Sequence, residues 1–250
     1  MKPVNEAYLA LIVGTSLLRN VINNKSLKNE TKDLINKSLN QDPEADAKLR
    51  AAALNSRILD EVSSIACSDP HMSAEMSTAI AVKRWVDRDI NIDLISSDTG
   101  AAIFAANALA RCIKMRGGGM KVTGTVIIPI FNSISFNDAL GKFLDVMGKR
   151  MAKRPRSINI VGVTGGLKLE AVAATIIAML TNARVAYLME SGELVIFPSI
   201  PIKLAEFMLK PEKNTEEWEE LVRDGLAEYK DGKYSLMKWV MNLLNLISSP

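Results

Sequence analysis

Three short stretches of this chain place hydroxyl side chains, in two of them joined to glycine, directly after apolar runs: Gly14-Thr15-Ser16, Ser96-Ser97-Asp98-Thr99 and Thr164-Gly165-Gly166. A turn of this kind between a strand and a helix offers free backbone N–H groups at the positive end of the helix dipole, which suits phosphate. Its glycines let a ligand approach the backbone closely. Each turn alone also reads as ordinary turn and N-cap chemistry. Three of them along one sheet edge point to an anionic ligand. Lys168 follows Gly166 by two residues and opens an apolar helix (Leu167, Ala171, Val172, Ala173, Ala174, Ile176), where the dipole opposes a cation unless an anion compensates. It reads equally as a lysine snorkelling from a helix edge.

Other cations have two readings as well. Arg111, Lys114, Arg116 and Lys121 flank a Gly117-Gly118-Gly119 loop, where they could reach an anion or serve as partners of a helix C-terminus. Lys149, Arg150, Lys153, Arg154 and Arg156 read as the polar end of a helix. The sequence has one histidine, His71, in a loop after Asp69-Pro70, and two cysteines, Cys67 and Cys112. That inventory excludes a Cys/His zinc set and a cysteine framework, and leaves hydroxyls, carboxylates, Lys and Arg to carry any chemistry. His71 reads as a surface or cap residue before it reads as a general base. No Walker or GxGxxG fingerprint is present, so neither an ordinary NTPase nor a dinucleotide oxidoreductase is indicated.

The elements that must position these residues follow from periodicity. Ala7–Val13 is a buried strand, Asn20–Asn24 an irregular stretch, and Glu30–Leu39 and Ala45–Ala66 are helices. Ser73 caps a helix from Ala74 to about Val86. Strands Ile92–Ile95, Lys121–Ile128, Ile158–Val163 and Arg184–Leu188 then alternate with helices Ala101–Met115, Asn137–Lys153 and Lys168–Leu180. Such alternation means a doubly wound α/β domain with a mainly parallel sheet, to which Leu194–Phe197 adds an antiparallel strand. Beyond Pro198 and Pro201 come helices around Ile202–Leu209 and Thr215–Asp224, a hairpin through Asp231-Gly232, and an amphipathic tail to Ile247. We expect residues 1–200 to form the α/β domain and residues 201–250 a small winged-helix-like unit. Its candidate recognition helix carries Glu216, Glu217, Glu219 and Glu220, which argues against DNA binding.

Near-balanced charge, 31 Lys+Arg against 28 Asp+Glu, gives a net +3 that does not mark a nucleic-acid-coating protein. No apolar run reaches the roughly 18 residues of a membrane span. Cysteines read as unpaired, small buried hydrophobes fit a reducing compartment and a cytoplasmic protein.

The turns, taken in order, resemble the CARF family of CRISPR-associated proteins. The residues that carry the resemblance are Val13-Gly14-Thr15-Ser16-Leu17-Leu18-Arg19-Asn20, Ser73-Ala74-Glu75, Ser96-Ser97-Asp98-Thr99 and Val163-Thr164-Gly165-Gly166-Leu167-Lys168, within about residues 7–200. Leu167 departs from the aromatic often found between the two glycines and the lysine. The resemblance implies a Rossmann-like fold, a homodimer, and cyclic oligoadenylate bound across the two-fold axis. Because the sequence supplies no histidine for an attached HEPN nuclease, it further implies a stand-alone ring nuclease that cleaves cyclic tetra-adenylate to linear di-adenylate with a 2′,3′-cyclic phosphate.

On that reading Ser16 and Lys168 are catalytic. Gly14, Thr15, Asn20, Ser97, Asp98, Thr99, Arg111, Arg116, Thr164, Gly165 and Gly166 bind ligand, with neither metal nor cofactor. The ribose 2′-OH would attack the adjacent phosphorus in line, helped by geometry and by placed cations and N–H donors. The alternatives are a non-catalytic cyclic oligoadenylate sensor acting through the C-terminal unit, and an unrelated Rossmann-like nucleotide-binding protein.

Overall fold

The computed structural model describes residues 7–54, 56–129, 136–152, 158–166, 168–199, 208, 210 and 212–248. Strand β1 (Ala7–Val13) is buried throughout, and its period of two sends Leu9, Leu11 and Val13 to one face and Tyr8, Ala10 and Ile12 to the other. A strand apolar on both faces needs cover on both, and it sits centrally in the sheet. Among the described residues the main sheet has the order β3-β2-β1-β4-β5-β6, built from β2 (Ile90–Ser97), β3 (Met120–Ile128), β4 (Ile158–Gly162), β5 (Arg184–Leu188) and β6 (Leu194–Phe197). All neighbours run parallel except β5 and β6. This is a Rossmann-like sheet whose order reverses between β1 and β4, the place where ligands settle in such folds.

One face is covered by helices α1 (Ser16–Val21), α2 (Asn29–Leu39), α3 (Pro43–Ala52), α4 (Arg57–Ser68), α5 (Ala74–Val86) and α6 (Gly100–Arg116). The other is covered by α7 (Phe136–Ala152) and α8 (Lys168–Leu180). On that second side the fully buried Asp93 of β2 accepts from the Tyr8 hydroxyl at 2.8 Å and the Thr123 hydroxyl at 2.6 Å, and it pairs with Arg150 of α7. Arg150 thus does more than end a polar helix. Partners on three elements are what make a buried carboxylate tolerable.

Two local expectations fail for identifiable reasons. The helix expected over Ala45–Ala66 is two helices, because the Ser56 hydroxyl donates to the Ala52 carbonyl (2.7 Å) while accepting from the Leu59 amide (3.0 Å). One side chain ends α3 and starts α4. The stretch expected to be irregular from Asn20 begins inside α1, a short helix held by the burial of Leu17, Leu18 and Val21.

The cysteines, expected to be unpaired, are joined: Cys67 of α4 and Cys112 of α6 form a disulfide. Each lies on the apolar side of its helix, and periodicity gives the two sides without saying that they meet. The inference of a reducing compartment from free thiols falls with it. Among the described residues no helix is long and apolar enough to cross a membrane.

In the C-terminal segment, α9 (Thr215–Arg223) opens with a capping box between Asn214 and Glu217. The Lys210 ammonium and the Asn214 backbone hold the Glu217 carboxyl below its ordinary pKa. Strands β7 (Ala227–Lys230) and β8 (Lys233–Leu236) pair through Asp231 and Gly232, both at positive φ, the geometry of a tight hairpin turn. Helix α10 (Lys238–Ser248) returns along α7, where Trp239 packs so close to Gly141 that a Cβ there would lie 3.0 Å from the Trp239 Cβ. The helix expected over Ile202–Leu209 lies outside the described residues apart from Met208.

Candidate functional site

The turns after β1 and β4 meet at the strand-order reversal. A Cβ on Gly14 would fall 2.5 Å from the Gly166 amide nitrogen, so only glycine allows this backbone contact. Gly166 has φ 87°, in the region that side chains avoid. Between the turns lies Glu75 of α5, 1% exposed. Its carboxylate accepts from the Gly14 amide (2.8 Å), the Ser16 hydroxyl (2.6 Å) and the Ser73 hydroxyl (2.7 Å). Gly165 leaves room for that carboxylate, since a Cβ there would lie 2.1 Å from Oε1. Ser73 also caps α5, accepting from the Met76 amide at 3.1 Å, as expected.

The consequence for Ser16 is directional. Its proton is committed to Glu75, which leaves its oxygen lone pairs to accept from an incoming hydroxyl. Among the described residues the backbone N–H groups of Thr15, Ser16, Gly165 and Gly166 donate to no protein acceptor. Donors from two turns therefore stand together beside a half-buried serine at the positive end of two helices, an arrangement that favours an anion. Lys168 is the first residue of α8.

The Thr164 hydroxyl has a structural task. Its hydroxyl accepts from the Leu188 amide at 2.9 Å and shares a hydrogen bond of 2.8 Å with Thr78, which holds the β4 turn against β5 and α5. Asn20 likewise braces the frame, donating from Nδ2 to the Met72 carbonyl at 3.0 Å. His71 is exposed on the neighbouring Pro70–Met72 turn.

The third turn is not an open anion cradle. Ser97 ends β2, and Thr99 caps α6 by accepting from the Ala102 amide at 3.2 Å. The next two amides, Gly100 and Ala101, donate to the Asp46 carboxylate of α3 at 2.7 and 3.2 Å. A protein carboxylate thus takes the place expected for phosphate, and Arg50 of α3 binds the carbonyl of the buried Asp98. Ser97 and Thr99 still line a cavity of about 390 Å³, together with Gly14, Thr15, Arg19 and Gly166. Its size lies within the roughly 300–1,000 Å³ of small-molecule sites.

Arg111 and Arg116 are far from this edge. Helix α6 starts where β2 ends and runs back across the sheet, so at 1.5 Å per residue Arg111 is about 16 Å and Arg116 about 24 Å from the helix start. Arg111 is paired with Asp60. The cation that does border the cavity is Arg19, exposed at the end of α1 and without an ion-pair partner among the described residues. Arg19 and Glu75 both lie within the motifs that carry the resemblance, yet nothing in the sequence marks either as a site residue. Glu75 lies 59 positions from Ser16, and only the fold joins them.

Fold and site together define a Rossmann-like protein that offers unpaired donors and a cavity at its strand-order reversal. The model of a family described as CRISPR-associated protein (Cas_APE2256) matches residues 70–200, more than half of the chain, and the chain belongs to that family. The comparison with curated proteins found no match.

Proposed function

We infer that this protein is a ring nuclease, which binds cyclic tetra-adenylate and cleaves it without a metal to linear di-adenylate bearing a 2′,3′-cyclic phosphate. Destroying that messenger would switch off type III CRISPR signalling. One observation carries the reading: in a chain of a CRISPR-associated family, backbone donors without protein acceptors meet a serine whose proton is committed to a buried carboxylate.

The chemistry needs little else, because the substrate brings its own nucleophile. The ribose 2′-OH donates to Ser16 and attacks the adjacent phosphorus; the bond from phosphorus to O5′ breaks as the bond to O2′ forms. The proton lost at O2′ has a path through Ser16 to Glu75, and Lys168 supplies a proton or a stabilising charge to the departing O5′. The N–H groups of Thr15, Ser16, Gly165 and Gly166, with Arg19, hold phosphate oxygens, a preorganised set worth more in a partly dry site than in water.

Two protomers would face the ring's two-fold symmetry, with the apolar side chains that α8 exposes, Val172 and Ile176, as the contact. Residues 201–250 are read as a winged-helix-like unit supporting this assembly. The acidic face of α9 speaks against duplex DNA.

The test is incubation of labelled cyclic tetra-adenylate with the protein in EDTA. We expect undiminished conversion to cyclic-phosphate-ended di-adenylate. Lys168→Ala should slow it about 100-fold while keeping the fold. A requirement for a divalent metal would reject the mechanism, and binding without turnover would return the protein to the sensor reading.

A further inference from the structure

The geometry points to a purine-base subsite, formed between the Gly14-Thr15 turn and the α2–α3 connection, in which Gln41 reads the edge of adenine. The inference rests on the proposed function and extends it from the phosphates to the bases. The cavity beside the phosphate-facing turn has apolar walls from Val13, Leu39, Pro43, Ala101 and Ala102, suited to a flat heteroaromatic ring. Gln41 lines it too, is exposed, and its carboxamide makes no hydrogen bond among the described residues.

The backbone of Gln41 makes the glutamine conspicuous. Its φ is 66°, set where α2 ends, with the Gln41 amide on the Ser38 carbonyl (3.0 Å) and the Asp42 amide on the Lys37 carbonyl (3.0 Å). Glycine or asparagine suits that position; a glutamine costs stability there. No hydrogen bond or ion pair of its side chain among the described residues offsets the cost, and a ligand would supply the reason for it.

The connection is also held firmly. Asp46 ties it to the start of α6, the Ser38 hydroxyl donates to Asp46 at 2.9 Å, and Arg50 binds the Asp98 carbonyl. A carboxamide on a fixed frame can present its oxygen to the adenine N6 amino group and its NH₂ to N7, a pairing that hypoxanthine, with an acceptor at position 6, cannot accept. Gln41 lies outside the residues matched by the family model, so base reading would come from this chain's N-terminal part.

The test measures binding of cyclic tetra-adenylate and cyclic tetra-inosinate by rapid mixing, before turnover, to the wild type, Gln41→Gly and Gln41→Asn. The wild type should prefer the adenylate ring about tenfold or more, as one good bidentate pair allows. Gln41→Gly should lose that preference while unfolding no more easily than the wild type, because glycine relieves the left-handed backbone. Gln41→Asn keeps an amide and tolerates the same φ, and should retain part of the preference. A Gln41→Gly protein with the wild-type preference overturns the base subsite alone. A wild type that binds neither ring overturns both the subsite and the proposed function.

Discussion

Ser16 and Glu75 form a pair in which the carboxylate decides what the hydroxyl can do. With the Ser16 proton held at 2.6 Å, the serine oxygen is left as an acceptor, the role that the proposed attack by a 2′-OH requires. Glu75 itself is buried, so in the proposed reaction it would act through Ser16. Glu75→Gln would oppose an amide to three donors and leave at least one unsatisfied. Loss of charge-assisted bonds of this kind costs roughly 1.5–3 kcal/mol, a drop that chemical unfolding would register. Cleavage should fall about 100-fold, and the double variant with Ser16→Ala should be no slower than the worse single variant. Multiplicative losses in that cycle would mean that Glu75 supports the fold and not the serine. Asp46 teaches a related point at the same scale: a carboxylate from elsewhere in the chain can occupy the donors that a local turn seems to offer a ligand.

At the scale of elements, the tie between α4 and α6 lends itself to measurement. The disulfide closes a loop with a sequence separation of 45. Chain entropy assigns such a cross-link about 4 kcal/mol. Reductant should lower the unfolding midpoint of the wild type and leave that of Cys67→Ala/Cys112→Ala unmoved; equal midpoints with and without reductant in the wild type would deny the bond any share in stability. The same two helices mark the limit of what sequence reveals here. Apolar spacing locates α6, α8 and most strands closely, because a buried face must repeat with the period of its element. The Ser73 cap was legible too, since a cap acts across three residues. The break at Ser56 was not, because a hydroxyl that both donates backward and accepts forward looks like any serine inside a helical pattern. Nor were the distant partners of Glu75, Asp46, Asp93 and Cys67, which lie 30 or more residues away and depend on which faces meet. The misplacement of Arg111 and Arg116 has a simpler origin: they flank a glycine loop as the site residues do, but at the amino edge of the sheet.

For the whole molecule, the reversal between β1 and β4 accounts for the place of the site and bears on the proposed pairing of two copies. Gly14 and Gly166 meet there at the surface, open on one side, and α8 leads away from the same point. That helix buries Ala173, Ala174, Ile177 and Ala178 against the sheet and leaves Val172 at 59% and Ile176 at 44% exposure, four residues apart on its outer side. Apolar side chains stacked in this way on the helix that opens at the site suit an interaction face, and a second copy would bring a second set of donors to the opposite phosphates of a two-fold ring. The near-neutral net charge suits such pairing, since two molecules carrying +3 repel one another weakly. Val172→Glu with Ile176→Glu should therefore convert the protein to a monomer in sedimentation, with the circular dichroism of the wild type, because neither side chain belongs to the core. Cleavage of cyclic tetra-adenylate should fall with dimer content as protein is diluted. A double variant that remains dimeric would place the contact on another face, and a monomeric one that cleaves at the wild-type rate would show that a single copy of the site is enough.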